Sequence, residues 1–94
     1  MLHQAAIEDN TYLITYLHNK LNINTKDKDG NTPLHLACYN SQEIATYWIT
    51  GIGADINATN NNGDNALHQL FKSEVRATNI FRHAKILVAN GINI

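Results

Sequence analysis

The chain has 94 residues, 44% of them hydrophobic, and a formal net charge of -1 from seven Lys and Arg against eight Asp and Glu. That is enough apolar material for one small folded domain and too much for a disordered chain, and no basic stripe is present to neutralise a row of phosphates, which argues against nucleic acid as the main partner. No apolar run approaches the roughly 20 residues of a membrane span, the start MLHQAA lacks a basic segment leading into an apolar core, and the single Cys38 cannot form an internal disulfide.

Residues 1–26 open directly on Met1-Leu2-His3, and Leu13, Ile14 and Leu17 follow at the spacings of one helix face before the phrase Leu21-Asn22-Ile23-Asn24. Residues 27–59 begin DKDGNTPLHLA. Here Gly30 supplies a turn position with positive φ, Thr32 can cap a helix, and Pro33 stands at the first helical position, where its missing N–H costs nothing. Leu34 then points inward, and Ala37 and Cys38 are small where helices must approach to about 8–10 Å between axes. A second helix carries Ile44, Trp48 and Ile49 on its expected apolar face, ahead of Gly53-Ala54-Asp55-Ile56-Asn57-Ala58. Residues 60–94 repeat the opening phrase as NNNGDNALHQL, with Asn65-Ala66 for Thr32-Pro33 and Leu70-Phe71 for Ala37-Cys38. Asn65 can still cap a helix. The bulky pair predicts wider helix spacing or an end of the stack with no crowding neighbour. An expansion falls at 72–79, as a longer first helix or a longer loop, and leaves Val75, Ile80 and Phe81 exposed. The last helix carries Ile80, Ala84, Leu87 and Val88 at the spacings of one helix face.

These phrases share one period. Leu2-His3 recurs as Leu34-His35 and Leu67-His68, at spacings of 32 and 33, and a fixed period of this length marks a repeat array. Each unit reads as loop, helix, turn, helix, loop. The gapless Thr32-Pro33-Leu34-His35-Leu36-Ala37, followed by Gly53-Ala54-Asp55-Ile56-Asn57-Ala58 and echoed on both sides, resembles the ankyrin repeat. The resemblance implies an all-α fold, a helix-turn-helix solenoid with short β-hairpin turns between repeats. It divides the chain into one array over 1–94: an N-terminal capping repeat at 1–26, a full repeat at 27–59 and a divergent, expanded third repeat at 60–94. Since arrays need about three full units for stability, the expectation is a fragment of a longer array, the alternative being that the third unit is a cap.

Candidate chemistry fits the scaffold better than a reaction. His3, His35 and His68 sit at equivalent places about 10 Å apart, too far to share a metal whose ligands each lie about 2 Å from it. They are expected to hydrogen-bond backbone or a cap such as Thr32 and to tie one hairpin to the next; His18 and His83 are expected at the surface or in turns. Asp27, Asp29 and Gly30 mimic part of a calcium loop, but Thr25 and Leu36 stand where its first and twelfth positions need carboxylates. Asn57-Ala58-Thr59 forms a sequon that only an export route would make relevant. Cys38 occupies a packing position, and no nucleophile-elbow or phosphate-loop pattern occurs. No enzyme activity, cofactor or metal is expected.

The resemblance implies a protein-binding surface built from hairpin tips and the faces of the first helices. Carried onto this sequence, the tip positions are Lys28, Asp29 and Asn31, then Asn61, Asn62 and Asp64; the helix-face positions are Tyr39 and Asn40, then Lys72 and Ser73, with Ile7 and Glu8 in the first unit. All are expected to be free of fold duties. Tyr39 is the strongest single candidate, because an exposed tyrosine offers large contact area at low entropy cost. The expected partner is a protein or peptide, with no nucleic acid and no membrane, met by a monomer in the cytoplasm. The alternatives are a targeting segment of a larger enzyme or host-directed effector acting in a host cytosol, with its activity beyond Ile94, and a structural spacer.

Overall fold

A computed structural model describes residues 1–73 and 80–92. Their helices are α1 (Leu2–Ile7), α2 (Thr11–Leu17), α3 (Pro33–Tyr39), α4 (Glu43–Gly51), α5 (Ala66–Lys72) and α6 (Ile80–Ala89). Helices α1, α3 and α5 pack in one row, α2, α4 and α6 in a second, and each repeat contributes one helix to each row. The expected solenoid therefore forms, and among the described residues it contains no strand. The hairpin turns are present as backbone pairs only: Asp27 N–H donates to Asn31 O at 2.9 Å and Asn60 N–H to Asp64 O at 3.0 Å.

Local sequence explains the helix starts. Thr32 accepts from the His35 backbone N–H and Asn65 from that of His68, while the two imidazoles reach back to the cap backbones, so both α3 and α5 carry reciprocal caps. Helix α4 is capped from another repeat: its own Gln42 side chain makes no cap, and Asp9 Oδ1 accepts from Ala45 N–H at 2.7 Å. Gln42 Nε2 in return donates to Ile7 O at 2.7 Å, stitching the first two repeats together at the helix-turn side.

The core runs between the rows through Ala5, Ala6, Ile14, Leu34, Ala37, Cys38, Ala45, Ile49, Ala66, Leu67, Leu70 and Leu87. Five Ala and one Cys in this set let short helices approach closely. Leu70 is absorbed into the core, and its neighbour Phe71 is 63% exposed, beside Ile80, Phe81 and Ala84. The bulky pair is thus split between the interior and the surface. Helix α5 matches α3 at seven residues and ends with Ser73 as its C-cap, so the first helix is not lengthened. Residues 74–79, which hold Val75 and the rest of the expansion, lie outside the described residues.

Two expectations about helix faces are corrected. Ile44, Trp48, Ile80 and Val88 are exposed, and the buried faces are Ala45, Thr46 and Ile49 in α4 and His83 and Leu87 in α6. Both helices offer more than one apolar stripe, and packing against the neighbouring helices selects between them. His83 is not a surface residue but 1% exposed. Its Nε2 lies 2.8 Å from Thr46 Oγ1, and Thr46 Oγ1 also donates to Gln42 O at 2.9 Å. With that hydroxyl proton committed to Gln42, the imidazole must carry its own proton on Nε2 and donate, which leaves Nδ1 a buried acceptor with no partner. His18, the C-cap of α2, is half-buried and matches its turn assignment.

Candidate functional site

The turn tips are fixed by side chains just inside them. Asp27 Oδ1 accepts from the backbone N–H of Asp29 and of Asn31, both at 2.9 Å, and Asn60 Oδ1 does the same for Asn62 at 2.9 Å and Asp64 at 3.0 Å. Gly30 and Gly63 complete each turn at φ +79° and +78°. Asp27 is thereby occupied as a turn builder, which accounts for the calcium-like spacing without a cation.

Neighbouring tips are zipped together. Asn61 donates its backbone N–H to Asp29 O at 3.0 Å and its amide to Lys28 O at 3.2 Å; Asn60 donates its amide to Asn31 Oδ1 at 3.0 Å. Below them His3 Nε2 lies 2.8 Å from Asn31 O and His35 Nε2 2.9 Å from Asp64 O, so each ring joins its own repeat to the next hairpin. Because the acceptors are carbonyl oxygens, both rings carry the proton on Nε2, and Nδ1 of His35 takes the Thr32 N–H and hydroxyl. Lys26 Nζ to Thr59 O at 2.9 Å and Asp55 N–H to Asn24 Oδ1 at 2.7 Å extend the ladder. His68, the next rung, is exposed.

The sequence-derived site residues divide into two groups. Lys28, Asp29, Asn61 and Asn62 stand exposed on adjacent tips, and Tyr39 is 37% exposed at the far end of α3. Among the described residues the side chains of Lys28, Asp29, Asn62 and Tyr39 make no hydrogen bond or ion pair. The tips and Tyr39 bracket one face of α3, about 10 Å long at 1.5 Å per residue. Asn61, through its bonds to Lys28 O and Asp29 O, and the other candidates do serve the fold, against expectation. Asn31 and Asp64 are half-buried acceptors of the ladder, Lys72 pairs with Asp64, Asn40 is the C-cap of α3 and donates to Leu36 O at 2.8 Å, and Ser73 Oγ lies 3.1 Å from Ser41 Oγ. The Ile7 carbonyl accepts Gln42, and exposed Glu8 accepts from Gln4. Sequence alone treats a polar residue in a turn as solvated, whereas stacking brings its backbone and amide within reach of the next turn.

The ionisable groups of the interior are arranged for neutrality. Burial pushes the Cys38 thiol up to about 12, partly offset by Thr46 Oγ1 at 3.8 Å, so this cysteine is inert as a nucleophile. Burial lowers His83 to about 4, and burial also lowers His35, opposed mainly by its bond to the Asp64 carbonyl. Among the described residues no three His, Cys, Asp or Glu gather as metal ligands would, and no helix is long and apolar enough to cross a membrane. A row of aromatic residues on the outer helices, Tyr12, Tyr16, Tyr47 and Trp48, is exposed as well. Sequence reasoning missed it by turning Trp48 inward; Tyr12 and Tyr16, four apart and beside the Leu13-Ile14-Leu17 stripe, were the available signal.

A family model described as ankyrin repeats, in three copies, matches residues 2–94. A "Probable serine/threonine-protein kinase" of Dictyostelium discoideum is 34% identical over 83 residues, covering 87% of this chain and 10% of that protein. Protein phosphatase 1 regulatory subunit 27 of Homo sapiens is 34% identical over 64 residues, 67% of this chain and 42% of its own length. The crystal structure of the human ASB11 ankyrin repeat domain superposes with a TM-score of 0.83 at 22% identity, over 98% of this chain and 40% of that one. The chain thus spans less than half the length of each of these relatives.

Proposed function

The chain belongs to the ankyrin repeat family, whose members are protein-interaction modules, and from that premise we propose that it binds a protein or peptide through its hairpin tips and the inner face of α3. One observation carries the reading: among the described residues the side chains of Lys28, Asp29, Asn62 and Tyr39 reach solvent without internal partners, from backbone held by turns, helix and the ladder. Rigid presentation of free polar and aromatic groups lowers the ordering cost of binding. Recognition proceeds by shape and polar contact, with Tyr39 as anchor and Lys28 and Asp29 setting the charge register. Nothing in this reading calls for a covalent step or a cofactor.

The test is affinity capture with wild type beside the double variant Lys28→Ala, Tyr39→Ala. Partners recovered by wild type and lost by the variant, at equal folded content, support the surface; equal recovery of every partner refutes it. A second reading has the same surface serve as the targeting part of a longer polypeptide, and the short share of each relative that this chain covers favours it. Reading the gene beyond codon 94 decides that point.

A further inference from the structure

The outer row of helices carries a surface that the family scaffold does not require. Tyr12 is 90% exposed, Tyr47 63%, Tyr16 62% and Trp48 44%. Two grooves flank Trp48. One, of about 520 Å³, is lined by Thr11, Tyr12, Thr15, Tyr16 and Trp48 between α2 and α4; the other, of about 400 Å³, by Tyr47, Trp48, Thr50, Gly51, Ile52 and Asn90 between α4 and α6. Among the described residues no hydrogen bond uses the hydroxyls of Tyr12, Tyr16, Tyr47, Thr11 or Thr15 or the Trp48 indole N–H. An exposed aromatic patch with unused polar edges is the composition of a recognition surface, since Tyr and Trp give large contact area for few rotatable bonds.

Charge identifies the occupant. Lys20 lies over the Tyr16 ring, 5.2 Å from its centroid, and Lys85 is exposed on α6. Glu43, the one acid on the three outer helices, is 3.8 Å from Arg82. The turns, by contrast, are mixed, with Asp27, Asp29, Asp55 and Asp64 beside Lys26 and Lys28. The outer face is therefore aromatic and cationic, with a lysine near each end. We propose that it is a second docking surface, for an acidic peptide segment of a partner protein that seats apolar side chains in the two grooves beside Trp48 and sets carboxylates against Lys20 and Lys85. Two helix spacings, about 20 Å, separate α2 from α6, so roughly six extended residues bridge the two ends.

Trp48 is the single tryptophan and reports occupancy directly. Random 12-residue peptides displayed on phage are selected on the wild-type chain. Enriched peptides are then titrated by Trp48 fluorescence on wild type, on Tyr12→Ser/Tyr16→Ser/Lys20→Glu, and on Lys28→Ala/Tyr39→Ala. The expected clones combine Asp or Glu with aromatic or branched residues, shift Trp48 emission saturably, and lose at least tenfold in affinity on the outer-face variant but not on the tip variant. That variant changes only exposed side chains, and an unaltered circular dichroism melt confirms its fold. The proposal is overturned if no peptide shifts Trp48, if the enriched peptides are basic, or if both variants bind them as wild type does. It is also overturned if vesicles of phosphatidylcholine and phosphatidylserine shift Trp48 and acidic peptides do not. Failure here leaves the tip surface untouched, since its own variant is scored separately.

Discussion

Gly30 and Gly63 occupy the same place in the same repeated turn with nearly equal φ, yet their surroundings differ. A Cβ on Gly30 would stand 2.5 Å from Asn61 Oδ1 and 2.8 Å from Asn61 N, whereas one on Gly63 would meet nothing within 4 Å. Gly63→Ala therefore incurs only the left-handed backbone cost of about 1–2 kcal/mol, part of which is recovered because alanine restricts the unfolded chain. Gly30→Ala adds a clash with backbone, relieved only by separating the tips. That removes the Asn61 bonds to Asp29 O and Lys28 O, each contributing about 0.5–1.5 kcal/mol. The expected losses are about 1 kcal/mol for Gly63→Ala and about 3 kcal/mol for Gly30→Ala. At about 4–8 °C per kcal/mol for a domain of this size, the two melts separate by roughly 10 °C. Thermal denaturation followed at 222 nm, with urea titration to fix the free energies, measures the difference. Equal losses at the two glycines would show that the hairpins do not stack through Asn61.

Acidification destabilises the domain through its buried imidazoles. His83 is held at about 4 in the fold and titrates near 6.5 when unfolded, so the unfolded chain binds more protons between those values. The stability His83 contributes is complete above about pH 6.5 and is lost as pH falls towards 4, by about 3 kcal/mol, and His35 acts in the same direction. Urea titrations at pH 7 and pH 4.5 check it, and His83→Leu, of similar volume, flattens much of the dependence. Asp9→Ala removes the cap that the first repeat places on α4 and costs about 1–2 kcal/mol, whereas Phe71→Ser, at an exposed position, changes stability by less than about 0.5 kcal/mol. Cys38 reacts with a thiol reagent at the rate of global unfolding, tracked by absorbance of the released chromophore; prompt reaction of the native chain contradicts its burial.

The repeat architecture was legible because its signals are local. Gly30, Thr32, Pro33 and Asn65 act within a few residues of themselves, and the Leu2, Leu34 and Leu67 positions fix the period. The inner and outer faces of α4 and α6 were not legible, since Ile44, Ile49, Ile80 and Leu87 look alike in a short helix and only packing against neighbouring repeats separates them. His83 escaped for a related reason. Leu87 stands 38 positions after Ile49, and the same offset puts His83 on Ala45, so a polar ring fills a place where periodicity finds only a small residue; its partner Thr46 lies 37 residues away. Of the candidate site, the exposed tips were readable from turn chemistry. The double use of Asn31, Asp64 and Lys72 was not, because the ladder they join exists only once the repeats are stacked.

The central claim is that partner binding runs through the tips and the inner face of α3. Calorimetric titration of a captured partner into wild type, Lys28→Ala/Tyr39→Ala and Tyr12→Ser/Tyr16→Ser/Lys20→Glu tests it most directly. The account predicts at least a tenfold rise in Kd for the tip variant, since truncating a central anchor typically costs about 2 kcal/mol or more and about 1.4 kcal/mol is tenfold. An unchanged Kd for that variant, with all three proteins equally folded, would contradict it.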